Sequence, residues 1–344
     1  MSLRNCLLAA GLAAAVCLAS FGAEATGRSL DQLYQAAKPE GKVVMYTSVP
    51  DFILAEWKTL FEKRYPGIDL EFFRSGTGKV VARVDAEARA GKVQGDLIWV
   101  ADQTVFPSLI KQNLLAVYRS PEWDKVGFGK DPGGHFVMGR VLVAVIFANT
   151  GATKDMPTTW SDLTKPEYKN QVSVASPLVS GAMAVILGAM AHDPRYGWDY
   201  FRKLKDNGVL VLQDVPDTAR AAASGERPLG MTLTMYKYQP ELVHSPIKVI
   251  YPSDGVVLIA SPFGIFKDAP HPNAARLLDR FLLSSEAQAV LAEHGIYPAR
   301  LDVAAPQGMP ALKDLQAKAI IPDIPWIAAN EDKLKTQWRE IFGH

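Results

Sequence analysis

The chain has 344 residues, 48% apolar and 21% charged, and its 37 Lys and Arg against 36 Asp and Glu leave a formal net charge of +1. That balance argues against nucleic acid or an anionic membrane surface as partner, since both select strongly basic faces. The length is ample for two lobes around a sizeable core.

The N-terminus reads as a segment to be removed. Arg4 gives a short positive region, Leu7 to Leu18 is apolar but too short to span a bilayer, and Ala23-Glu24-Ala25 offers a cleavage site. Residues 1–25 are therefore expected to be a secretory signal peptide, with the mature chain in the periplasm. Cys6 and Cys17 both fall inside it. The mature chain is then expected to have no disulfide, no thiol nucleophile and no Cys-bound metal, and no cofactor is expected. Val16, before Cys17, is not the small residue that lipid attachment there would favour.

The spacing predicts a short helix over Ser29–Lys38 and a buried strand at Val43–Tyr46. A helix with Ile53, Leu54, Trp57, Leu60 and Phe61 on one side follows, stopped by Tyr65-Pro66-Gly67. The alternating run Ile68–Phe72 then enters Ser75-Gly76-Thr77-Gly78, and a helical pattern leaves it from Val80 to Ala90. Asp96–Val100 is a third strand, and Asp102-Gln103 opens a helix through Leu109. This β-α-β-α-β order calls for a parallel sheet covered on both faces. The turns Thr47-Ser48, Ser75–Thr77 and Asp102-Gln103 would share one edge, where open α/β sheets bind ligands.

The Ser-Gly-Thr-Gly turn is the focal stretch. Glycines admit close approach, and the first N–H groups of the helix with two hydroxyls suit an oxyanion. An ordinary N-capped turn explains the same residues. A nucleotide P-loop does not, because it needs Gly at Phe73 and Ser or Thr at Val80.

Residues 118–134 read as loop, and Val141–Asn149 as a long strand crossing to a second lobe. Thr159–Leu163 caps a predicted helix, and Val172–Ala175 is a strand. Ser180-Gly181-Ala182 leads into the helix Met183–Ala191, a second strand, Ser-Gly turn, helix unit. Strands at Val209–Leu212 and Leu229–Leu233 flank a helix at Thr218–Ser224, and Lys248–Tyr251 is a further strand. Val256–Ala260 is the returning crossing, with helices at Pro272–Leu283 and Ser285–Glu293 and a helical tail at Trp326–Phe342. The expectation is an α/β fold of two lobes joined by a two-crossing hinge, closing around a ligand. Lobe 1 would take residues 26–143 and 255–306, lobe 2 residues 144–254, and the tail 307–344.

Several motifs in this order carry a resemblance. They are the two Ser-Gly turns, Ser224-Gly225-Glu226 before Leu229-Gly230, Ser261-Pro262, and Ala269-Pro270-His271-Pro272-Asn273-Ala274-Ala275. Together they resemble the solute-binding proteins of ABC importers, in the branch with ferric-iron-binding and aminoethylphosphonate-binding members. The resemblance implies a type II periplasmic-binding fold. It also implies ABC permease subunits with a cytoplasmic ATPase as partners, and a monomer is expected.

In that family the turn matching Ser180-Gly181-Ala182 binds phosphate-like oxyanions. Ser75, Gly76 and Thr77 would form the opposing jaw, since two facing helix N-termini favour an anion. Ser48 and Asp102 would line the cleft, with Asp102 suited to a ligand amine; plain N-capping is the competing reading for both. Tyr236 would donate its O–H to the ligand or simply pack in the core. Arg74 reads as part of a solvated strand face.

Ferric-binding members carry two adjacent tyrosines. Here Met235 stands in place of the first, before Tyr236, with Tyr238 two residues on, and no His follows the first strand. Fe(III) prefers oxygen to thioether ligands. A phosphonate or phosphate ester is therefore the expected ligand, and ferric iron on Tyr236 and Tyr238 the alternative. The six histidines form no H-E-x-x-H, and there is no G-x-S-x-G, so catalysis is not expected.

Overall fold

A computed structural model describes residues 28–343; the expected signal peptide and both cysteines lie outside them. The chain begins with α1 (Leu30–Ala37), β1 (Lys42–Thr47), α2 (Asp51–Arg64), β2 (Asp69–Arg74), α3 (Thr77–Arg89), β3 (Leu97–Trp99) and α4 (Phe106–Lys111). After β4 (Val137–Asn149) come β5 (Val172–Ala175), α5 (Gly181–His192), α6 (Gly197–Asp206), β6 (Leu210–Leu212), α7 (Val215–Ser224), β7 (Leu229–Leu233) and β8 (Ile247–Ile250). The return is β9 (Leu258–Ile265), α8 (Pro272–Leu282), α9 (Ser285–Glu293) and β10 (Tyr297–Pro298), and the tail is α10 (Leu312–Gln316), α11 (Ile324–Ala329) and α12 (Glu331–Phe342).

The strands order as β2-β1-β3-β9-β4-β7-β5-β6, with β8 and β10 also on β4. β1 runs parallel to β2 and β3, and β5 parallel to β6 and β7, as helix-connected units require. β4 and β9 are the central antiparallel strands. Every residue of β4 is buried, which explains its near-continuous apolar run.

β4 changes partner midway. Val137–Val143 pair with β9, whereas Ala144–Ala148 pair with β7. One lobe is built on each half, and the turns that follow β2 and β5 meet. The tail spans the second lobe's helices: a Cβ on Gly188 of α5 would come within 2.7 Å of Ile327 in α11, and His192 stacks on Trp326 with ring centroids 4.1 Å apart.

The tail, read as one helix at Trp326–Phe342, is split into α11 and α12 and preceded by the unexpected α10, and two elements of the second lobe also differ from the sequence expectation. Thr159–Leu163 opens only a 3-10 turn, Ser161–Thr164, because Pro166 holds Lys165 extended and Asp162 takes the N–H groups of Thr158 and Thr159. Helix α6 was not anticipated. Its buried face is only Tyr200, Phe201 and Leu204 in a charged stretch, too little for a periodic signal.

Candidate functional site

Each wall of the site is a strand end followed by a turn. At the end of β1, Thr47 Oγ1 donates to Trp99 O (2.9 Å) and Val49 N–H donates to Thr47 Oγ1 (3.0 Å). This folds the chain over so that Ser48 faces inward, its Oγ accepting from Ala101 N–H at 3.1 Å. After β2, Gly76 is the N-cap of α3 and Thr77 begins the helix. Across the cleft, Ser180 caps α5 and accepts from Met183 N–H (3.4 Å). The two helix starts touch: Gly78 N–H donates to Val179 O at 3.3 Å.

Glycine is required at this meeting. A Cβ on Gly181 would lie 2.7 Å from Thr77 Cβ and 2.9 Å from Asp102 Cβ, and one on Gly76 would lie 2.9 Å from Val179 O. Thr77 Oγ1 is buried with no hydrogen-bond partner among the described residues.

The floor is an arginine that the sequence reading missed. β4 carries a bulge between Met138 and Arg140 in its register with β9. Gly139 allows it: a Cβ there would collide with the Trp99 ring, and Gln288 Nε2 donates to the Gly139 carbonyl at 3.0 Å. Bulges re-aim side chains, and this one turns Arg140 into the cleft. Arg140 is fully buried, its Nε donates to Ser261 Oγ at 3.3 Å, and one terminal nitrogen has no partner among the described residues. Burial lowers its pKa to about 10, opposed by nearby Tyr236, so it remains a cation at neutral pH.

These groups enclose one cavity of about 20 Å³, lined by Ser48, Arg74, Gly76, Thr77, Ala101, Arg140, Leu142, Ser180, Gly181, Ala182, Asp214, Val215, Leu233, Met235 and Tyr236. That is room for about one water, so the two lobes are shut upon each other. Arg74 and Tyr236 also border an outer cavity of about 430 Å³ with Asp51, Phe52, Arg220, Gln239 and Glu241. A separate hollow of about 450 Å³, between Arg119 and Pro132, shares no residue with the cleft.

Most of the expected site residues come together here, and two do not. Asp102 is absent from the lining. Its carboxylate accepts from Thr104 N–H (2.8 Å) and Thr104 Oγ1 (2.6 Å), and burial raises its pKa to about 6. It caps the 3-10 turn behind the wall, the competing reading of this residue. Ser75 is likewise not in the lining; its N–H donates to Thr47 O at 3.0 Å.

Tyr236 is buried and lines the cavity, and burial holds its phenol well above the usual tyrosine range. Tyr238 is outside the lining, its ring laid against Gly295, where a Cβ would come within 2.7 Å. Arg74, read as a solvated residue, instead lines both cavities, with a side chain 27% exposed. Asp214, capping α7, is a further lining residue not anticipated.

The cavity thus offers two guanidiniums, three hydroxyl residues and a phenol against one carboxylate. This set matches an anion with several acceptor oxygens. Among the described residues, no three His, Cys, Asp or Glu side chains group as metal ligands, and no helix is long and apolar enough to cross a membrane.

Comparison with known proteins places this geometry. Residues 95–323 match the family model for bacterial extracellular solute-binding proteins. The fold is similar to that of the periplasmic binding protein AfuA from Actinobacillus pleuropneumoniae with fructose-6-phosphate bound: TM-score 0.76, 22% identity, covering 88% of this chain and 99% of that one. It is also similar to a ferric binding protein from Campylobacter jejuni, with TM-score 0.72, 18% identity, and 87% and 99% covered. A probable ABC transporter periplasmic-binding protein of Sinorhizobium fredii is 25% identical over 170 residues, 46% of either chain. The fold is the type II periplasmic-binding fold.

Proposed function

The chain belongs to the bacterial extracellular solute-binding proteins, and we propose that it captures a phosphonate or phosphate ester in the periplasm and delivers it to the permease of an ABC importer. The observation that carries this reading is Arg140. A buried cation without a counter-ion is costly, and an anion pairing with it removes that cost while adding charge-assisted hydrogen bonds. Thr77 Oγ1, also buried and unpartnered, supports an oxygen-rich ligand.

The outer cavity supports an organic ester over inorganic phosphate. The oxyanion sits on Arg140 and between the Ser48, Thr77 and Ser180 turns, and the organic part passes Arg74 and Tyr236 toward Asp51, Gln239 and Glu241. Those outer acceptors favour a body bearing hydroxyls or an amine. Capture involves no chemistry. The lobes, 26–143 with 255–306 and 144–254, hinge where β4 changes partner at Val143–Ala144, and the closed form docks on the permease as a monomer. Tighter binding to the closed form drives the closure.

Ferric iron is the second reading, supported by Tyr236 in the cavity. It requires Tyr238 to leave Gly295, and it places a trivalent cation beside two guanidiniums. Melting the mature protein with aminoethylphosphonate, fructose-6-phosphate, phosphate and ferric citrate separates the two. A ligand at ~100 times its Kd adds about 2.7 kcal/mol. Stabilisation by the phosphonate or ester alone supports the proposal; stabilisation by ferric citrate alone, with a coloured tyrosinate complex, reverses it.

A further inference from the structure

Gln288 on α9 is fully buried, and its oxygen and both its N–H groups are in use. Nε2 donates to the Gly139 carbonyl (3.0 Å) and to the carbonyl of Leu282 (2.8 Å), the last residue of α8, while Oε1 accepts from Ala299 N–H (2.7 Å). The reverse orientation of the amide would set its oxygen against two carbonyls, so the network admits only one. All three partners are main-chain groups, and two lie where the sheet ladder breaks. The bulge leaves Gly139 without a partner residue on β9, where Met138 faces Pro262 and Arg140 faces Ser261. On the other side β10 pairs Pro298 with Arg140, and the next step of that register sets Ala299 opposite Gly139. The Gln288 amide stands between these two in place of a direct hydrogen bond.

The Gly139 carbonyl and the Arg140 N–H belong to one planar peptide unit, so whatever fixes that carbonyl fixes the plane from which the Arg140 side chain departs. We propose that Gln288 is a positioning residue for ligand capture: by holding the Gly139–Arg140 peptide it aims the Arg140 guanidinium into the cleft, without touching the ligand. This rests on the oxyanion reading above and extends the site to a residue outside the cavity lining. Binding groups must be held within about 0.5 Å of their productive place, and supporting hydrogen bonds of this kind do so.

The test is titration calorimetry of wild type, Gln288→Met and Gln288→Glu with aminoethylphosphonate and fructose-6-phosphate at pH 5 and pH 8, each variant compared with wild type at the same pH, with a thermal melt of every sample. Met keeps the side-chain length and has no donor; Glu has a donor only when protonated, and burial raises a carboxyl pKa. Gln288→Met is expected to bind roughly tenfold more weakly than wild type at both pH values. Gln288→Glu should show the same loss at pH 8 and return to within about threefold of wild type at pH 5, where its O–H again donates to the Gly139 carbonyl. A merely structural role lowers the melt without this recovery, and that result overturns the proposal, as does wild-type affinity in Gln288→Met. If Gln288→Glu does not fold, Gln288→Met decides alone: weaker binding with a cooperative melt supports the proposal, and unchanged affinity overturns it. Wild type binding neither compound overturns the oxyanion reading and the positioning role with it, whereas wild-type binding with unchanged affinity in the variants overturns the positioning role alone.

Discussion

Arg140 Nε donates to Ser261 Oγ across 3.3 Å, joining the two central strands at the floor of the cleft. The same Ser261 oxygen accepts from Trp99 Nε1 (3.0 Å) and donates to Val100 O (2.8 Å), and Trp99 in turn stacks on Trp57 with centroids 5.0 Å apart. The cation is therefore held by a rigid, buried frame and does not depend on the ligand for its position.

This frame makes Arg140→Met informative. The substitution should lower phosphonate or ester affinity at least 100-fold, about 2.7 kcal/mol, while the unliganded protein melts at the same or a higher temperature. Arg140→Lys should not rescue binding, because a lysine lacks the planar fork. Calorimetry and a thermal melt on the same samples check both halves.

Gly181→Ala addresses closure. The added methyl would meet Thr77 Cβ at 2.7 Å only when the lobes are shut. Affinity should fall tenfold or more with the unliganded melt little changed. Small-angle scattering should show a larger radius of gyration for the variant at saturating ligand than for wild type.

The tyrosines separate the two ligand readings. Tyr236→Phe should weaken oxyanion binding roughly tenfold, the loss of one hydrogen bond to a charged group, and Tyr238→Phe should leave it unchanged. Equal losses from both variants would favour the ferric reading.

A pH prediction comes from outside the cleft. Asp279 on α8 is buried and one of its oxygens has no partner among the described residues. Burial raises its pKa to about 7 from 3.8, opposed by Ser120 and Arg280. The native state thus holds a proton that the unfolded chain has lost, so this group's contribution to stability is present below pH 4 and declines as pH rises to about 7. Asp279→Asn should melt higher than wild type at pH 8 by a few degrees, with the difference shrinking toward pH 4.

The strand, turn, helix units were legible because their signals are local. Gly76, Thr77, Ser180 and Gly181 stand where the chain must bend between a strand and a helix, and two such units in one chain imply two facing turns. Arg140 was not legible for a different reason. Its direction depends on the bulge at Gly139, a matter of register with β9, which lies more than a hundred residues further on. The only trace is a lone arginine at the start of a long apolar run. Arg74 and Asp214 were missed because the lobes meet over them, and alternation along one strand cannot report a contact from the other lobe. Asp102 shows the converse: a carboxylate at a strand end caps its own 3-10 turn through Thr104, two residues on.

The most direct test of the whole account is a calorimetric titration of wild type and Arg140→Met with aminoethylphosphonate and fructose-6-phosphate. The account predicts saturable one-to-one binding of at least one of them by wild type, and its loss in the variant with the fold intact. Binding of either compound with equal affinity by both proteins would show that the buried arginine does not seat the ligand, and would contradict the site described.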